Sequence, residues 1–169
     1  MSVATAPLVG LRARPALLLR GAVALCAAII VACAQADAPR AAAVQQRVLA
    51  LMECYECVDG ELDSVVAQGV QAVPLLRTAL LEGPAPGRLA RMDSSLRYYT
   101  TPRASNTVIA LQLGNYRALY RMRSTRALTA IGGTASSEAL CAGRSVPQLT
   151  PGDRLALDSA IQRVGGACP

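Results

Sequence analysis

GELDSVVAQGVQAVPLLRTALLEGP, residues 60–84, decides the fold. Leu62, Val65 and Val66 recur at the spacing of one helical face, which predicts a helix over Glu61–Gln68 capped by Asp59. Gly69 suits the stop, because a left-handed residue is favoured just past a helix. A second helix is predicted from about Ala72 to Glu82. Pro74 lies in its first turn, where no amide partner is lost, and Val73, Leu76 and Leu80 point inward. Gly83-Pro84-Ala85-Pro86-Gly87 then breaks the chain. Nothing here alternates with period two, so the segment is a helical hairpin and not a pair of strands.

The same period runs outward in both directions. Val44, Val48, Leu51 and Tyr55 lie at i, i+4, i+7 and i+11, one face of a first helix ending near Val58-Asp59-Gly60. Ala34–Ala43, small, polar and Pro-containing, reads as a tether. Beyond the break, Arg88–Thr101 reads as a helix with Leu89, Met92, Leu96 and Tyr99 inward. A long helix is expected from Asn106 to Ile131, weakened at Gly114 by about 1 kcal/mol relative to Ala. Apolar residues cover most of its circumference and leave a polar strip at Arg117, Arg121 and Ser124, which suits a central helix with several neighbours. Gly132-Gly133 ends it, and Thr134 is the expected cap of a short helix to Cys141. The last helix has the clearest start: Thr150 as cap, Pro151 at the first position, Asp153 closing a capping box, and Leu157, Ile161 and Val164 as its stripe. The expected class is all-α.

Two stretches resemble HEAT-type helical repeats. One is residues 60–84. The other, Arg126-ALTAIGGTASSEAL ending at Leu140, carries the pattern A-L-x-x-I-G-x-x-x-A-x-x-x-L. The resemblance implies a short HEAT-like helical-hairpin array, or an irregular α-solenoid or bundle, over residues 44–169. It also implies a role in holding protein partners on exposed helix faces. Arg88–Met122 between the two stretches departs from the repeat pattern.

Ahead of the helices lies an export signal. Arg12, Arg14 and Arg20 precede the apolar run GAVALCAAIIVA, residues 21–32, which is short for a membrane span of about 20 residues. Ile30-Val31-Ala32-Cys33 resembles the lipobox of bacterial lipoproteins. That resemblance implies removal of residues 1–32 and a lipid on Cys33, the new first residue. Ala34 after the Cys implies sorting to the outer membrane, facing the periplasm. Ala32-Cys33-Ala34 and Ala34-Gln35-Ala36 also fit ordinary signal cleavage. The tether is then residues 33–43 and the working domain residues 44–169.

Composition narrows the chemistry. The 169 residues contain no Lys, His, Trp or Phe, so all 17 basic residues are Arg. Without His there is no Ser-His-Asp or Cys-His pair and no imidazole metal ligand. The net charge of +6 falls to +3 after loss of three signal arginines, 14 Arg against 11 acids, which argues against nucleic acid as a partner. No catalytic residue, metal site or cofactor is assigned.

Four cysteines remain beside Cys33: Cys54, Cys57, Cys141 and Cys168. An even count in an oxidising compartment favours disulfides. Of three connectivities, Cys54–Cys57 with Cys141–Cys168 joins neighbouring elements. Cys54-Tyr55-Glu56-Cys57 also admits a thiol–disulfide redox pair, the alternative function, or part of a four-cysteine zinc site. It closes a helix beside Glu53, Glu56 and Asp59, where thiolate is disfavoured. The acids Glu53, Glu56, Asp59, Glu61 and Asp63 read as a solvated turn or a cation site without the EF-hand spacing. Tyr116, Arg117, Tyr120 and Arg121 offer aromatic and guanidinium groups at i, i+4 spacing, either as a partner-binding face or as packing with a solvated edge.

Overall fold

In a computed structural model of the chain, residues 38–54, 58–99, 106–147 and 149–168 are described. The described residues form seven α-helices and no strand. They are α1 (38–53), α2 (Val58–Val66), α3 (Val73–Glu82), α4 (Pro86–Tyr99), α5 (Asn106–Ile131), α6 (Gly133–Gly143) and α7 (Pro151–Arg163). The fold is all-α. Residues from Ala42 onward form one unit, and the core belongs to it.

Residues 38–43, inside the expected tether, are already helical, and the alanines at 41–43 favour that state. Helix α2 starts at Val58, so Asp59 lies in its first turn and does not cap it. A 3-10 turn, Gly69–Ala72, with Gly69 at φ +56°, leads into α3. The chain bends there by 110°, which lets the apolar faces of α2 and α3 meet the same core. Leu62, Val65, Val73, Leu76 and Leu80 are all buried, as their spacing predicts.

Helix α5 is the hub. It packs on α2, α3, α4, α6 and α7. The contacts crowd into its C-terminal half, where Tyr120, Arg123, Ser124, Thr125, Ala127 and Leu128 are buried, whereas only Ile109 is buried in the first half. This corrects two expectations. Ser124 is fully buried and belongs to no solvent strip. Helix α4 buries no residue, and Tyr99, expected inward, is 82% exposed.

Helix α6 is capped by Gly132, which has no side chain to offer, and not by Thr134. Helix α7 opens as expected. The Thr150 hydroxyl accepts from the Asp153 amide at 3.0 Å, and the Asp153 carboxylate accepts from the Thr150 amide at 3.1 Å. Cys141 on α6 is bonded to Cys168, with Cα atoms 5.4 Å apart, which holds the C-terminal tail to the core. No single helix among the described residues is long and apolar enough to cross a membrane.

Candidate functional site

The four residues Tyr116, Arg117, Tyr120 and Arg121 do not share one surface. Tyr116 and Tyr120 stack edge to face, with ring centroids 5.4 Å apart, and turn toward the end of α1. Both hydroxyls donate to the Glu53 carboxylate, Tyr116 at 2.7 and 2.9 Å, and Arg88 from α4 lies 3.2 Å from it. Burial pulls the Glu53 carboxyl upward. The two phenol hydrogen bonds and the Arg88 guanidinium outweigh it, so the group titrates below its ordinary range. Burial and the bonds to Glu53 push both phenols upward. This cluster ties α1, α4 and α5 together.

Arg123 makes the second tie. It is buried, and its Nη1 donates to the carbonyls of Leu51 at 2.9 Å and Met52 at 2.7 Å, while Nη2 donates to that of Cys54 at 2.6 Å. These carbonyls belong to the last turn of α1 and its exit, where intrahelical donors run out. A cation there also meets the negative end of the helix.

The acids around this turn diverge. Glu53 faces the two phenols, and Asp59 pairs with Arg126 at 2.8 Å. No group of three metal-ligating side chains converges among the described residues. Cys54 is a half-cystine and not a free thiol. Cys57, and with it the expected Cys54–Cys57 pairing, lies outside the described residues, as do Cys33 and Glu56.

Arg121 turns the other way, to Asp153 at the start of α7, 3.3 Å off, and borders an open groove of about 830 Å³ between α5 and α7. The floor is small and apolar, with Ala118, Leu119, Met122 and Ala130 from α5 and Ala156 and Leu157 from α7. Three guanidinium groups, Arg121, Arg126 and Arg163, stand on its margin; Arg121 pairs with Asp153 and Arg126 with Asp59, which leaves a local excess of one positive charge at Arg163. Most of the lining surface is apolar, with the polar groups of Asn115, Thr125, Thr129 and Thr150 among it, and the volume is in the range of ligand-sized clefts. Apolar side chains also extend past the cavity. Met122 is 57% exposed within it, and Leu111, on the same face of α5 beyond it, is 62% exposed. Sequence reasoning placed only Arg121 here. The missed signal is the apolar series Val108, Leu111, Ala118 and Met122 on one face of α5.

No protein-family model, curated protein or solved structure matches this chain, so the groove and its surroundings are read from their own geometry.

Proposed function

We propose that this chain is a non-catalytic interaction module of the bacterial cell envelope, anchored through a lipid on Cys33 and binding a protein partner in the α5–α7 groove. The groove is the observation that carries the reading. It joins an apolar lining, in which Met122 is exposed, to the exposed Leu111 and Val108 on the same face of α5. Apolar surface that continues beyond a cavity marks a site for another macromolecule. The lipobox residues Ile30–Cys33 support the anchor, and the HEAT-like stretches at 60–84 and 126–140 support a partner-holding role. Outer-membrane attachment facing the periplasm follows from Ala34 after the lipobox.

Site-specific photo-crosslinking in intact envelopes tests the binding half. A benzophenone side chain in place of Met122 should give one discrete adduct. The same group in place of Arg77, exposed on α3, should give none. Equal adducts at both positions, or none at Met122, would sink the proposal. The anchor is tested by mass spectrometry of the first peptide, expected to begin at an acylated Cys33. An unmodified start at Gln35 or Asp37 would remove it.

A further inference from the structure

The face of α5 that lines the groove has a regular spacing. Val108, Leu111, Asn115, Ala118, Met122, Thr125 and Thr129 follow one another at alternating steps of three and four residues. That is the a/d spacing of a helix that accepts the side chains of a second helix. The series covers about 31 Å of helix at 1.5 Å per residue. Among the described residues its N-terminal part lacks a covering element: Val108 is 42% exposed and Leu111 is 62% exposed. The flanking e and g positions that line the groove in the same register are Leu119, Arg121 and Arg126.

We propose that the occupant of the groove is a helix of a partner protein with an apolar stripe flanked by acidic residues, laid along α5 from Val108 to Thr129. This rests on the reading that the groove is the binding site. Charge selects the acidic flank. Residues at e and g choose partners by sign. Here the charged ones, Arg121 and Arg126, are both Arg, and Arg163 on the α7 side has no acidic partner among the described residues. The Arg126–Asp59 pair is exposed on both sides, so exchanging Asp59 for a partner carboxylate costs little. A second copy of the chain fits poorly. Helix α5 has four Arg and no Asp or Glu, and pairing two such seams sets like charges together. A small ligand would fill the cavity and leave Val108 and Leu111 uncovered.

The test uses the purified full chain and two synthetic helices with the same Leu and Ala stripe, one carrying Glu and the other Lys at the flanks. Binding is read by fluorescence anisotropy at low and physiological ionic strength. The Glu helix should bind about tenfold tighter, since each exposed pair adds a small factor. The preference should narrow with salt. Arg126→Glu with Arg163→Glu should reverse it. Met122→Glu and, separately, Leu111→Glu should abolish binding of both helices, with unchanged melting curves because both sites are exposed. Equal binding of the two helices, lost in Met122→Glu, would overturn the acidic preference and leave the groove standing. Binding that survives Met122→Glu, or no binding at all, would overturn the groove reading as well. Self-association of the full chain by sedimentation equilibrium, abolished by Met122→Glu, would make a second copy the occupant and overturn the proposal.

Discussion

Arg123→Met should destabilise the domain by about 3 kcal/mol. The substitution keeps much of the side chain's volume, so little cavity cost is expected. It removes three donated hydrogen bonds to the end of α1. Leu51 and Met52 are almost wholly buried, so water cannot replace the guanidinium at their carbonyls. An unsatisfied buried carbonyl costs about 1–3 kcal/mol, and two give roughly 2–6. Against this stands relief from burying a cation, a penalty of several kcal/mol that Arg123 bears with no carboxylate partner among the described residues. The lower half of the range is therefore expected, near 3 kcal/mol, or about 10 °C in Tm for a domain of this size. Arg123→Lys should recover only part of the loss, because an ammonium lacks the planar fork that reaches separate carbonyls. Urea unfolding followed by circular dichroism measures both. Arg123→Met within about 0.5 kcal/mol of the parent, the range of ordinary surface changes, would refute the reasoning. The guanidinium would then be no net fastener of α1.

Further outcomes follow from the same packing. Gly143→Ala sets a Cβ 2.8 Å from Leu80 Cδ2 and 3.2 Å from Leu157 Cδ2, so thermal melts should show a loss of about 1–3 kcal/mol. Cys168→Ala opens a loop spanning 27 positions and should cost about 3–4 kcal/mol in urea titrations run without reductant. Glu53 has a lowered carboxyl pKa, so its contribution to stability is full above the unfolded value near 4.5 and is lost as pH falls through the folded value. Glu53→Gln should flatten the acid limb of a stability-versus-pH curve below about pH 4.5, and an unchanged limb would count against the cluster. Cys54→Ser with Cys57→Ser should leave crosslinking from Met122 intact, whereas a redox function would be abolished.

Local signals made much of the fold legible. The capping box at Thr150–Asp153 and the paired glycines at 132–133 mark boundaries through backbone chemistry near in sequence, and α5 and α7 run where those signals place them. The inward residues of α2 and α3 were legible because each face is a simple apolar stripe. Helix α4 was misjudged because Leu89, Met92 and Leu96 form such a stripe without a deep core to meet it; all three are only half-buried. Arg123 and Ser124 carry no inward signal. Their burial depends on where α1 ends in space. The groove was hidden for a related reason. Asn115, Thr125 and Thr129 dilute its apolar pattern, and which face of α5 lacks a covering helix is a tertiary fact. Arg121 was found as a cation beside two tyrosines, yet it points away from both Tyr hydroxyls toward α7.

Methionine oxidation offers the most direct measurement of the binding claim. Met122 is 57% exposed in the groove, Met92 is half-buried on α4, and Met52 is 1% exposed in the core. A hydrogen peroxide pulse followed by peptide mass spectrometry reads all three at once, since each sulfoxide adds one oxygen to its peptide. In the purified chain, Met122 should oxidise fastest and Met52 slowest. In intact envelopes, a partner in the groove should slow Met122 severalfold relative to Met92 while the Met52 ratio stays constant. An unchanged ratio of Met122 to Met92 between the purified chain and the envelope would contradict the groove as the binding site.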